Sequence, residues 1–124
     1  MSNSSKMYIC VRDDVPDFMV PTLVGHAVLR HHVEVGQSQE FLTACGKKWP
    51  EWLGIYDGWI TDSFKKCVVR MNKKEFAKVL AIEGGVKSWE NSTLNGEVSC
   101  VTVVVDKDIP NVLKFAKLWS PKNG

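Results

Sequence analysis

The chain has 124 residues, enough for one domain that buries a core without disulfide staples. At 44% hydrophobic and 24% charged it has the composition of a globular chain, and no apolar run approaches the roughly 18 residues a membrane span requires. A net charge of +2 is too small to mark a nucleic-acid binder by itself, so that role rests on where the charge sits.

The first residues, "MSNSSKM", are polar with no apolar segment behind them, so 1–6 read as a disordered tail rather than a signal peptide. A single domain is expected over 7–120, with a second tail at 121–124. Met7–Arg12 forms a first strand, ended by Asp13, Asp14 and Pro16. A helix follows from near Pro21, because Val20, Leu23, Val24, Ala27, Val28 and His31 recur at the spacing of one helical face. Gly36 is expected to close it, with a second helix from about Ser38 to Lys48. "KKWPEWLGIYDGWITDSF" reads as a loop-rich segment whose aromatics tuck against the core. Lys66–Met71 is the second strand. Asn72 and Glu75 form a capping box that opens a helix with Phe76, Val79 and Leu80 inward, stopped by Gly84 and Gly85. Val86–Trp89 is a short strand, "ENSTLNG" a turn, and Val98–Val105 a nearly all-apolar strand covered on both faces. Asp108 caps a last helix with Ile109, Val112, Leu113, Ala116 and Trp119 facing in. The order β-α-α-β-α-β-β-α predicts an α/β fold: a three-layer sandwich with a small mixed, mostly parallel four-stranded sheet flanked by helices.

Cys10, Cys67 and Cys100 fall inside strand-like runs and no C-x-x-C spacing exists, so buried thiols in a cytoplasmic protein are expected rather than a zinc or redox motif. The three histidines crowd one helix, but His26 and His31 turn away from each other and His31 and His32 face different sides. No H-E-x-x-H or G-x-S-x-G pattern is present, and no metal or cofactor is expected. Two features carry chemistry. Lys65, Lys66, Arg70, Lys73, Lys74 and Lys78 concentrate positive charge around the second strand and its following helix, either as a solvated face or as a surface that tracks a phosphate backbone. Lys114, Lys117 and Lys122 extend it if the last helix lies alongside. "SWENSTLNGEVS" gathers a carboxylate, hydroxyls and amides in a turn between two strands, where α/β sheets collect ligands.

Four segments, "MYICVRDD", "GHA", "FKKCVVRMNKKEFAKVL" and "GEVSCVTVVVDKDIPNVLKFAKLW", resemble in order and spacing the type II peptidyl-tRNA hydrolases and their divergent relatives, some of them phage-encoded. The resemblance runs from Met7 to Trp119. It implies a compact α/β fold that hydrolyses the ester between a peptide and tRNA without a metal. It also implies that Glu90, Thr93 and Ser99 activate water beside His26, while the lysine cluster holds tRNA. The family's lysine and glutamine ahead of the histidine fall here on Met19 and Leu23, which cannot donate to an oxyanion, and Arg30 is the cation one turn beyond His26. That departure keeps two rivals in play. One is a tRNA-binding module that has lost catalysis. The other is a protein-interaction role through Trp49, Trp52 and Trp59, with a homodimer as one form of it.

Overall fold

The sheet is built on β1 (Lys6–Arg12), whose interior residues are all buried because both of its faces and both of its edges are covered. The computed structural model describes residues 4–122. β2 (Lys65–Met71) lies parallel to β1, in register from Lys6 opposite Lys65 to Arg12 opposite Met71. β4 (Val98–Val105) lies antiparallel on the other side, from Lys6 opposite Val105 to Val11 opposite Cys100. β3 (Val86–Trp89) pairs antiparallel with β4, and a two-residue β5 (Lys117–Leu118) pairs antiparallel with β2. The order is β3-β4-β1-β2-β5. The sheet is therefore mixed, but it has five strands rather than four and only one of its pairings is parallel.

Two layers of helix cover it. α1 (Val20–Ala44) and α2 (Glu51–Gly58) pack on the face that carries Met7, Ile9, Val11, Cys100 and Val104. α3 (Lys73–Leu80) and a one-turn α4 (Asn111–Lys114) cover Tyr8, Cys10, Val69, Val101 and Val103. The alternation follows from the two-residue period of strands. β4 is buried on both faces, as its apolar run requires.

α1 runs through Gly36 as one 25-residue helix where two were expected. Leu23, Ala27, His31 and Val35 continue one buried stripe, and this packing outweighs the roughly 1 kcal/mol that an interior glycine costs. The stop is Gly46 (φ 67°), which lets Gly46 N–H donate to Thr43 O and Lys47 N–H to Leu42 O. The segment read as loop contains α2, begun after Pro50, and then a π-turn over Trp59–Ser63. Leu53, Tyr56 and Trp59 bury one face of it, while Trp49 and Trp52 are half-buried against the same core. The capping box at the start of α3 forms as expected: Asn72 Oδ1 accepts from Glu75 N–H at 2.8 Å, and Glu75 returns the bond to Asn72 N–H. Gly84 (φ 86°) turns the chain against Trp52, where a Cβ would lie 2.8 Å from the indole.

The long final helix does not form, and Asp108 caps nothing. Pro110 precedes four helical residues, after which the chain crosses the β2 edge: Trp119 N–H donates to Val68 O at 2.9 Å and its ring packs on the α1 face. Pairing with an open strand edge wins here over helical periodicity. Parts of both expected tails are also held. Ser4 Oγ donates to Asp106 at 2.6 Å and Lys6 already belongs to β1. Lys122 N–H donates to Asp17 at 2.7 Å. Residues 1–3 and 123–124 lie outside the described chain. Among the described residues no helix is long and apolar enough to cross a membrane.

Candidate functional site

The turn after β3 is organised by one carboxylate. Glu90 accepts from the Ser92 N–H at 3.1 Å, from the Thr93 hydroxyl at 2.8 Å and from the Ser92 hydroxyl. Thr93 is buried and Glu90 half-exposed, so the hydroxyl anchors the carboxylate from below. Beyond it Leu94 (φ 52°) and Asn95 (φ 55°) are both left-handed. Asparagine tolerates this backbone; Leu94 is held in it by packing against the Val11–Leu23–Cys100 core. The Ser92 hydroxyl, then its N–H, then the Thr93 hydroxyl hold the Glu90 carboxyl below its ordinary range, and the charge of His26 adds to them. Glu90 is thus an anion through neutral and mildly acidic pH, suited to orient water rather than to give up a proton.

His26 is exposed on the flank of α1 that faces β3, close enough to Glu90 to act on it electrostatically. Two segments far apart in sequence therefore meet at one end of the sheet. Ser99 lies at an irregularity in the β3–β4 ladder: Ser88 pairs with Cys100 but Trp89 pairs with Val98, which leaves Ser99 as the extra residue. Its hydroxyl is fully buried beside the Cys100 thiol, with no oxygen or nitrogen partner among the described residues. Burial raises that thiol to about 12, so Cys100 is not a nucleophile. Arg30, one turn on from His26, stacks its guanidinium 4.4 Å from the centre of the Trp89 ring, and Nη1 lies 3.6 Å from Glu34. Met19 and Leu23, at the positions where the family resemblance implies polar groups, pack into the core.

The six expected phosphate-binding cations do not share one face. Lys66 lies on the α1–α2 side, where its ammonium sits 3.4 Å from the Phe64 ring centre. Lys65 is exposed at the start of β2, and its carbonyl accepts from Trp59 Nε1 at 2.6 Å. Arg70 is engaged with Asp17 at 3.3 Å and with Ser120 O at 2.5 Å, and it lies against Trp119. Lys73, Lys74 and Lys78 are exposed on α3, in the opposite layer. Lys122 donates to Asp13 O, Lys114 lies over Phe115, and Lys117 is on β5.

The other two histidines have structural partners. His31 is buried, bonded through Nδ1 to the Thr102 hydroxyl at 2.7 Å and stacked on Tyr56 at 5.2 Å. Burial lowers its pKa to about 4, so it is a neutral core residue. His32 Nδ1 shares a 2.8 Å hydrogen bond with Tyr56 Oη. No group of three or more His, Cys, Asp or Glu side chains converges as a metal site among the described residues.

Sequence reasoning missed a groove of about 470 Å³ on the other flank of α1, walled by Val28, Leu29, Tyr56, Trp59 and Phe64. Its signal was present in the helical spacing of Leu53, Tyr56 and Trp59, obscured by Gly54 and Gly58. In comparisons with known proteins, no family model matches the chain and no curated protein is significantly similar to it.

Proposed function

We propose that this protein is a divergent cytoplasmic hydrolase of the type II peptidyl-tRNA hydrolase kind, with that family's fold, cleaving the ester between a peptide or N-blocked amino acid and tRNA. The observation that carries the reading is the convergence of Glu90, tied down by Ser92 and Thr93, with His26 from α1. In this mechanism the Glu90 carboxylate accepts a hydrogen bond from water and aims its lone pair at the ester carbonyl. Attack forms a tetrahedral oxyanion; as it collapses and the C–O bond to the ribose breaks, the proton lost by the attacking water passes to the ribose oxygen. His26 lines the site and supplies a hydrogen-bond donor to the oxyanion or to the leaving oxygen, and the Ser99 hydroxyl supports the floor beneath. The exposed Lys73, Lys74 and Lys78 of α3 supply the tRNA contact, while Arg70 holds the C-terminal segment in place.

The test is release of free tRNA from an N-acetylated aminoacyl-tRNA. Turnover that Glu90→Gln abolishes supports the reading; no release above background at high protein concentration overturns it. The burial of Leu23 and the packing of Met19 favour a second reading, a tRNA-binding module without catalysis, because neither of these two positions offers a donor. That reading expects salt-sensitive tRNA binding without turnover, weakened by reversing the charge of Lys73 and Lys74. Unchanged affinity in that double variant removes the surface from both readings.

A further inference from the structure

The groove on the far flank of α1 carries an inference that goes beyond the hydrolase reading and does not depend on it. Its walls are Val24, Val28 and Leu29 of α1 and Tyr56, Trp59 and Ile60 of α2 and the π-turn. At about 470 Å³ it has the volume of a small-molecule site. Two features separate it from an ordinary surface dent. The first is its backbone. The π-turn ends in Phe64 at φ 53°, a left-handed conformation that a bulky residue seldom adopts, and the result is a phenyl ring displayed at the rim with 52% exposure. The second is its charge. No acidic side chain lines the groove, and its one ammonium, Lys66, lies against the Phe64 ring and donates to Phe64 O at 2.9 Å. Lys66 makes no ion pair among the described residues. The polar groups inside, His32 and Tyr56, share a hydrogen bond with each other. Gly25 leaves the mouth open: a Cβ built there meets nothing within 4 Å.

We propose that this groove binds a small amphiphilic acid, an apolar chain lying along Val28, Leu29 and Trp59 with its carboxylate on Lys66. The apolar body supplies most of the affinity through burial, and the single cation selects an anion over a cation of the same shape. The test is calorimetric titration of the full chain with decanoate and with decylammonium. Decanoate is expected to bind with a sub-millimolar Kd and decylammonium at least about tenfold more weakly. Lys66→Met should remove that preference. Gly25→Leu, whose Cβ meets nothing within 4 Å and whose side chain favours the helix, should abolish decanoate binding while the denaturation midpoint holds or rises. Glu90→Gln should leave decanoate binding unchanged, so this site and the hydrolase reading stand or fall separately. Absence of decanoate binding, equal affinity for the two amphiphiles, or decanoate binding that survives Gly25→Leu each overturns the proposal.

Discussion

Along one flank of α1, His26 and Arg30 face Trp89 and Glu90; along the other, Gly25, Leu29 and His32 line a groove with Tyr56, Trp59 and Phe64. The first region is held by short-range hydrogen bonds, since every donor that fixes Glu90 lies within three residues of it. The second is held by packing between segments more than twenty residues apart, joined by the hydrogen bond and the ring contact between His32 and Tyr56. The contrast teaches that one helix can serve a polar site and an apolar one with almost no shared parts. Substitutions on one side should therefore alter chemistry and leave stability alone, and those on the other should do the reverse.

The largest expected effect is on chemistry. Glu90→Gln keeps the shape of the side chain but removes its charge, and turnover on an N-blocked aminoacyl-tRNA should fall by at least about 100-fold. Because Glu90 is half-exposed, the denaturation midpoint should stay close to that of the parent. Trp59→Ala makes the opposite cut. The ring is buried to 1% exposure and its Nε1 donates to Lys65 O, so about 3–5 kcal/mol of stability should be lost in urea denaturation. The turn around Glu90, which shares no contact with Trp59, should persist in the folded fraction. A loss of both stability and the Glu90 hydrogen bonds in either variant would break the separation.

His31 lies under the middle of α1 and sharpens the contrast with His26 on its edge. Burial lowers the folded-state pKa from 6.5 to about 4. Below pH 6.5 the unfolded chain takes up a proton that the folded chain refuses. Stability is therefore fully present above that pH and lost as pH falls toward 4, by up to about 3 kcal/mol. Urea denaturation across this window should show the slope, and His31→Gln should flatten it. The difference between the two curves isolates the histidine from the carboxylates that titrate lower.

Where local chemistry decides, the sequence was readable. The Asn72–Glu75 capping box and the Glu90 turn depend on neighbours a few residues away, the β3 and β4 strands carry their pattern within their own residues, and each forms where its pattern places it. The errors share one cause, competition from a distant partner. Gly36 ends no helix because Val35 and Leu42 still have a core to meet. The segment after Asp108 abandons its helical period because β2 has an open edge, and pairing there turns a flanking helix into a fifth strand. The site divides the same way. The chemistry of Glu90, Ser92 and Thr93 is local, whereas the approach of His26 and the placement of Ser99 depend on how α1 and the β3–β4 irregularity are packed. The dispersal of the six cations was illegible for that reason too: alternation along β2 sends Lys66 to one layer, while α3 lies in the other.

The smallest prediction concerns the two glycines inside α1. Gly25 and Gly36 are both exposed, and a Cβ on either meets nothing within 4 Å. Alanine at either position should therefore raise stability by about 0.5–1 kcal/mol, since each glycine costs helix entropy and no steric demand holds it there. The two should part company in ligand binding. Gly25 lines the groove and Gly36, three turns along, does not. If the groove is a binding site, Gly25→Ala narrows its mouth and weakens decanoate, whereas Gly36→Ala gains the same stability at unchanged affinity. Paired urea denaturation and calorimetry on the two variants read both quantities, and equal behaviour in both would mean that Gly25 is only an interruption of the helix.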